Sequence, residues 1–279
     1  MDSALYVVAT PIGNLEDISR RALDTLAAVD LVAAEDTRRS GQLLAHFGIQ
    51  QRLVAYHEHS DPALTGRLAG RVLAGERVAL ISDAGTPLVS DPGYRLVRAV
   101  QDGGGRVVPL PGPSAALAAL SVAGLPSDRF AFEGFLPAKA AQRQRRIAEL
   151  AHADCTLIFY EAPHRLLATL SDLVAGLGAG REAVLARELT KRFETVRRAP
   201  LAALRDWVAA DRDQQRGELV LLVERAAPRA GELDAGLAAL LEAMAAEMPA
   251  RRAASLLADF SGLRKKQLYA HLLARRGGD

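Results

Sequence analysis

Two α/β domains facing each other across a cleft, followed by a small helical module, is the fold class this 279-residue sequence predicts. Three observations predict it. Short β-rich runs alternate with helical runs through residues 1–123. A turn-rich break, Ala123-Gly-Leu-Pro-Ser-Asp128, precedes a second alternation over 124–228. From about residue 228 the pattern is purely helical, so 229–279 reads as a separate helix-turn-helix-like tail.

The first domain offers strands at 5–9, 31–35, 53–56, 78–82 and 107–110. Between and after them lie helical runs at 17–28, 37–47, 62–74, 92–103 and 113–123. Ile18, Ala22, Leu26 and Val29 fall on one face at helical spacing. Asp36 or Thr37 can cap the second helix, and Gly48 can end it. Such alternation implies a largely parallel sheet covered on both faces. The second domain offers strands at 130–135, 156–161, 183–188, 194–198 and 218–224, with helices at 139–151, 163–177 and 201–210. The short connection between the domains predicts a cleft between them. The tail divides into helices at 232–247, 251–260 and 264–274, the last two joined by Ser261-Gly262-Leu263. Leu268 with Leu272 and Tyr269 with Leu273 supply apolar pairs for packing there.

Apolar residues make up 49% of the chain, enough for a substantial core, and the net charge of +2 points to no partner by itself. Cys155 is the one cysteine, so no internal disulfide forms; the thiol reads as a core residue, and a reduced, cytoplasmic setting fits. The N-terminal residues lack a basic segment and a long apolar run, so no signal peptide is expected. No stretch of membrane-spanning length is free of charges and turn residues.

Three strand exits carry the candidate chemistry. Thr10-Pro-Ile-Gly-Asn-Leu-Glu-Asp17 follows the first strand, where open α/β sheets bind ligands, but it lacks the G-x-G-x-x-G of a dinucleotide site. Ser82-Asp-Ala-Gly-Thr-Pro-Leu-Val-Ser-Asp-Pro-Gly93 packs two glycines, two prolines and two aspartates behind an apolar strand. Its small residues allow close approach of backbone to a ligand, and Asp83 could accept bonds from ribose hydroxyls or an ammonium group. That is more turn chemistry than a simple connection needs. Pro109-Leu-Pro-Gly-Pro-Ser-Ala115 opens a helix whose free N–H groups can hold an anion; it is equally a rigid helix start and nothing more. His57 and His59 share one strand face but lack a third partner, so a metal site is not expected. Together with Glu35-Asp-Thr-Arg-Arg39 they read as exposed loop residues or substrate contacts.

Taken together, A-T-P-I-G-N-L, A-A-E-D-T-R, S-D-A-G-T-P-L-V-S-D-P-G, P-L-P-G-P-S-A, G-L-P-S-D-R-F, E-G-F-L-P-A-K, F-Y-E-A-P-H-R and A-R-E-L-T-K stand here in one order. In that order they resemble the ribosomal RNA small subunit methyltransferase I family, a branch of the tetrapyrrole methylases. The resemblance runs from residue 5 to about 225 and weakly into the tail. It implies 2′-O-methylation of a cytidine ribose in the decoding region of 16S rRNA, with S-adenosyl-L-methionine (SAM) as cofactor, by a homodimer that needs neither metal nor membrane. It also implies that SAM lies in the cleft, against Pro11, Gly13, Asp83, Ala84, Gly85, Thr86, Ser114 and Ala115 from the first domain. From the second domain it implies Phe159, Tyr160, Glu161, Leu189 and Thr190. Tetrapyrrole-specific relatives carry a more glycine-rich first turn than T-P-I-G-N, which favours the RNA branch over a tetrapyrrole C-methyltransferase. A different reading is a non-catalytic rRNA-binding assembly factor.

A ribose hydroxyl is a poor acid, so methyl transfer to it gains from a base or a cation near the developing alkoxide. Glu133, Lys139, Glu161, His164 and Arg165 are candidates facing the expected cleft, with Glu133 or Lys139 assigned the role; Glu161 and Arg165 equally read as a structural ion pair. RNA would meet Arg143, Arg145 and Arg146 beside Lys139. A second basic set holds Lys191 and Arg192 with Arg187, Arg197 and Arg198. A third lies in the tail, with Arg264, Lys265 and Lys266 beside Arg251, Arg252, Arg275 and Arg276. The tail reads as an auxiliary rRNA-binding module or as a plain helical cap.

Overall fold

The structure is a computed structural model that describes residues 1–226, 233 and 235–276. Met1–Ala226 is one compact unit holding two five-stranded sheets, and Ala227–Asp279 falls in another.

In the first sheet β1 (Ala4–Val8), β2 (Leu31–Ala34), β3 (Leu53–Ala55), β4 (Arg77–Ile81) and β5 (Val107–Leu110) run parallel in the order β3-β2-β4-β1-β5. Helices cover both faces, which is why β2 is buried at every position rather than alternating. Val32 and Ala34 meet α1 (Arg20–Ala28) and α2 (Thr37–His46) on one side. Leu31 and Ala33 meet α3 (Pro62–Leu73) and α4 (Tyr94–Asp102) on the other. Ile18, Ala22, Leu26 and Val29 are all buried, as their spacing predicts. The helix at 17–28 is shorter than expected. Leu15–Asp17 forms a separate 3-10 turn, and Ser19 caps α1 by accepting a bond from the Ala22 N–H at 3.1 Å. Asp36 caps α2 through the Arg38 N–H at 2.8 Å, and Gly48 takes a left-handed conformation just past its end.

The second sheet orders β6 (Phe130–Phe135), β7 (Thr156–Glu161), β8 (Glu182–Arg187), β9 (Thr195–Pro200) and β10 (Leu219–Val223) as β6-β7-β10-β8-β9. Only β6 and β7 pair parallel. In β10 the alternation is clean. Leu219, Leu221 and Val223 face α6 (Ala140–Glu149), α7 (Leu166–Leu177) and α8 (Leu201–Ala210). Val220 and Leu222 face α5 (Ala115–Ala123), whose Ala116, Ala119 and Leu120 lie against them. So α5 leaves the first sheet at β5 yet packs on the second. The edge strand β9 is half-exposed and cationic, with Arg197 stacked 4.6 Å over the Trp207 ring.

In the C-terminal unit α9 (Ala235–Glu247), α10 (Ala250–Ser261) and α11 (Lys265–Arg276) share a small core of Leu241, Ala253, Ala254, Leu257, Leu268 and Leu272. The α10–α11 turn is closed by Gly262 at φ +71°, its N–H bonded to the Ala258 carbonyl at 2.9 Å. Of the two expected apolar pairs, Leu268 and Leu272 are buried, whereas Leu273 is exposed. The expected helix start at Glu232 and the domain limit at 228/229 lie outside the described residues. Among those described, no helix is long and apolar enough to cross a membrane.

Candidate active site

The exits of β4, β1 and β5, three neighbouring parallel strands, are tied together by backbone. Thr10 and Gly85 exchange hydrogen bonds of 2.8 and 3.0 Å beyond the end of the sheet. Gly85 does so at φ +78°, open to glycine and strained for other residues. The Thr86 hydroxyl donates to the Pro113 carbonyl at 2.9 Å. A Cβ on Gly112 would stand 2.9 Å from that of Ala9, so only glycine lets β5 exit so close to β1. Two of these three exits also touch the second half of the unit, one at the loop after β8 and one at β6. The Asn14 N–H donates to the Thr190 hydroxyl at 3.1 Å, and the Ser90 hydroxyl lies 3.1 Å from where a Cβ on Gly134 would stand.

Between the two sheets lies a cavity of about 350 Å³. Ile12, Ala84, Gly85, Thr86, Asp91 and Ala115 line it from one side, and Phe135, Tyr160, Glu161, Leu189, Glu218 and Val220 from the other. Its walls are mainly apolar, with three carboxylates among them. Glu161 is almost wholly committed: it accepts from the Ala162 N–H at 2.7 Å and the Thr169 hydroxyl at 2.5 Å. Arg165 Nε sits 3.2 Å from its Oε1, a charge contact without hydrogen-bond alignment. Glu218 reaches Lys191 at 2.9 Å, and Lys191 also holds Glu188 at 2.9 Å. Burial alone would raise the Glu188 carboxyl; the Glu218 N–H and the Lys191 ammonium outweigh it and bring it below its ordinary range. Burial pushes the Asp91 carboxyl up to about 6. A Ser82 bond opposes the rise, and the charges of Glu35 and Asp83 add to it. Burial likewise raises the Tyr160 phenol, against a bond from the Ala116 backbone. The Tyr160 ring stands edge-on to Phe132 and Phe135 at 4.9 and 5.7 Å.

A second cavity, of about 600 Å³, opens beside the first, and Ser90, Asp91 and Phe135 line both. Its other walls include Tyr56, His57, Glu58, Tyr94 and Arg95.

Of the residues expected to hold a ligand, Ala84, Gly85, Thr86, Ala115, Tyr160, Glu161 and Leu189 line the first cavity. Pro11, Gly13, Ser114 and Thr190 stand beside its walls without lining them; Ile12 turns inward between the first two. Two expectations need correction. Asp83 points away: its carboxylate accepts from the Asp36 N–H and from Arg39, each at 3.0 Å, where it meets the positive end of α2. Phe159 is 1% exposed and faces α6 and α7, because alternation along β7 sends only Tyr160 toward the cavity.

The expected catalytic and basic residues are also redistributed. Glu133 pairs with Arg146 at 2.6 Å, Lys139 is exposed at the start of α6, and neither lines either cavity. Arg143 is buried, its Nε 2.6 Å from Asp172, so it does not belong to a basic surface. Arg146 and Lys191 are spoken for by Glu133, Glu149, Glu188 and Glu218. Arg145, Arg192, Arg264, Lys265 and Lys266 are exposed. Sequence reasoning passed over Asp91 within the 82–93 segment, and the Gly217–Glu218 turn, which carries no motif, could not have been found from its residues.

The profile of the Tetrapyrrole (Corrin/Porphyrin) Methylases matches residues 4–205, and that of the RsmI C-terminal HTH domain matches 231–276. A protein of Pseudomonas aeruginosa named ribosomal RNA small subunit methyltransferase I is 58% identical over 98% of both chains. The chain belongs to the ribosomal RNA small subunit methyltransferase I family. A member from Mesorhizobium japonicum is 54% identical over 98% of this chain and 92% of its own. Solved structures share the family fold at lower identity. The methyltransferase CobJ superposes with a TM-score of 0.60 at 21% identity, covering 82% of this chain and 97% of its own. Uroporphyrin-III C-methyl transferase from Thermus thermophilus, complexed with S-adenyl homocysteine, gives 0.55 at 19% identity, covering 80% and 98%.

Proposed function

We propose that this methyltransferase family member uses SAM to methylate the 2′-hydroxyl of a cytidine ribose in the decoding region of small-subunit rRNA. The observation that carries the reading is the cavity itself: three backbone-tied strand exits and the face of a second sheet converge on one space of about 350 Å³. That volume suits a ligand of SAM's size. Apolar walls at Ile12, Leu189 and Val220 offer contact to an adenine ring, and the carboxylates of Asp91 and Glu218 offer a field that favours a sulfonium and an ammonium. Gly85 and Ala115 present backbone without bulky side chains. SAM supplies a methyl group on a positively charged sulfur. The chain's part is to hold donor and acceptor in line, where positioning alone contributes a large effective concentration.

The exposed cations Arg145, Arg192, Arg264, Lys265 and Lys266 are the residues we assign to RNA. The test is a map of ribose methylation in rRNA from cells with and without the gene, paired with transfer assays of the purified protein on small ribosomal subunits and on porphyrinogens. One ribose methyl lost from small-subunit rRNA on deletion, and restored in vitro, is the expected result. Transfer to a porphyrinogen carbon with an unchanged rRNA map would refute it, and failure to bind SAM would favour a non-catalytic rRNA-binding role.

A further inference from the structure

We propose that Phe260, at the tip of the C-terminal unit, is a platform on which an unstacked base of the RNA substrate lies, beside phosphates met by Arg264 and Lys265. This inference rests on the function proposed above and names one further contact of the same substrate. At 81% exposed, Phe260 is the most open of the large apolar side chains among the described residues. The core of the unit does not need it: Leu241, Leu257, Leu263, Leu268 and Leu272 fill that space and are all buried. A phenyl ring left in water forgoes the stabilisation that burial gives a side chain of its size. Nor does the ring stand alone. Leu256, one turn earlier on α10, is 44% exposed, and Arg252, a further turn back, is exposed as well, so the three form one outer ridge.

The charge around the ring selects its occupant. Residues 251–276 hold seven arginines and lysines against one acid, Asp259. The other acids described in the unit, Glu242 and Glu247, lie on α9, where Glu242 is 3.3 Å from His271. Lys265 reaches back over α10, its Nζ 3.1 Å from the Ser255 hydroxyl, and exposed Arg251 and Arg252 stand one turn before Ser255. Cations therefore flank one side of the open face of α10, and Leu256 and Phe260 flank the other. A flat ring beside a row of cations matches a chain of bases and phosphates. The makeup of α11 points to unpaired RNA and away from a duplex. In a helix-turn-helix on DNA the second helix enters the major groove and reads base edges. Beyond Lys266 the exposed positions of α11 described to residue 274 are Ala270, Leu273 and Ala274, none with a hydrogen-bonding side chain. The major groove of an RNA helix is too deep and narrow to admit such a helix. What remains for recognition is the tip, and splayed bases of loops and bulges stack on aromatic rings.

The tip is built to hold its shape. The Ser261 hydroxyl donates to the Leu257 carbonyl at 2.5 Å and accepts from the Leu263 N–H at 3.3 Å. Gly262 bonds back to Ala258 from a left-handed conformation that would strain other residues. Leu263 is buried and pins the chain again before Arg264. Phe260 and Arg264 thus leave a fixed turn on either side, and little backbone freedom is lost when RNA arrives.

The experiment uses the full chain and small ribosomal subunits from a strain lacking the gene. Dissociation constants of Phe260→Ala, Phe260→Leu, Phe260→Trp and Lys265→Ala are compared with the parent's at several salt concentrations. Phe260→Ala and Phe260→Leu are expected to weaken binding on the order of tenfold at every salt concentration and to leave the salt slope unchanged, because stacking releases no counterions. Phe260→Trp should bind within about threefold of the parent, since any flat ring can serve. Lys265→Ala should lower the salt slope by about 1. A photoreactive benzoylphenylalanine put in place of Phe260 should cross-link to rRNA on illumination. Unchanged affinity in Phe260→Ala, a Phe260→Leu that binds like the parent, or a Phe260→Trp as weak as Phe260→Ala overturns the proposal. So does an unchanged slope in Lys265→Ala, and so do cross-links that are absent or confined to protein. A lower melting temperature in Phe260→Ala would mean that the ring packs on the chain itself, and overturns it too. A parent protein that transfers no methyl group to these subunits would instead overturn the function on which the proposal rests, because the ring's part is read from binding alone.

Discussion

Asp172→Ala strands a guanidinium inside the protein. Arg143 is 5% exposed, and its Nε lies 2.6 Å from the Asp172 carboxylate, which is itself largely buried. After the substitution its remaining partner is the Ala138 carbonyl at 3.2 Å. Gln144 also loses its 2.8 Å bond to Asp172, but it is exposed and water replaces it. Breaking a buried pair by removing one member costs about 3–5 kcal/mol, because the surviving charge is left uncompensated. In a unit of this size each kcal/mol shifts Tm by about 2–4 °C, so the expected drop is about 6–20 °C. Thermal and urea unfolding followed by circular dichroism measure it. The double variant Arg143→Met/Asp172→Leu fills the same space without charge and should recover most of the loss. Its affinity for small ribosomal subunits should match that of the parent, since Arg143 does not reach the surface. A single variant within about 1 kcal/mol of the parent would refute the reasoning on stability. A stable double variant that binds subunits tenfold more weakly would refute the reasoning on Arg143.

Three further outcomes are expected. Asp91 titrates near 6 in the folded chain against 3.8 ordinarily, so its contribution to stability is greatest below about pH 4 and declines as pH rises through 6. Asp91→Asn should therefore be more stable than the parent at pH 8, by about 1–3 kcal/mol, with the gap closing below pH 4 in urea titrations; no gain at pH 8 would count against a strained carboxylate there. Gly217→Ala puts a Cβ 2.4 Å from the Glu188 carboxyl at φ +80°, costs at least ~1–2 kcal/mol, and should weaken S-adenosylhomocysteine binding as the Glu188–Lys191–Glu218 cluster shifts. Replacing Arg264, Lys265 and Lys266 together by alanine should leave melting unchanged while lowering the salt slope of rRNA binding by about 2–3; an unchanged slope would mean the tail does not touch phosphate.

Much of the fold was legible in the sequence, for reasons visible in particular residues. Doubly covered strands such as β2 read as unbroken apolar runs, and Asp36 and Gly48 marked the ends of α2. Side-chain direction was less legible. Phe159 and Tyr160 are neighbours in one motif, but a strand's alternation gives only one of them to the cavity, and register is not written in the motif. Arg143 read as surface charge because its partner, Asp172, is 29 residues away on another helix. Asp83 and Asp91 stand in the same segment, and only the tertiary position of α2 decides which is consumed by Arg39 and which faces the cavities.

The path of α5 has a mechanical consequence. The helix is rooted by Thr86 and Pro113 to the first sheet and glued through Ala119 and Leu120 to the second. Any clamshell motion of the halves would have to shear this helix off one of its two seats, exposing apolar surface to water. The connection is therefore a brace rather than a hinge, and opening it carries a cost in apolar area returned to water.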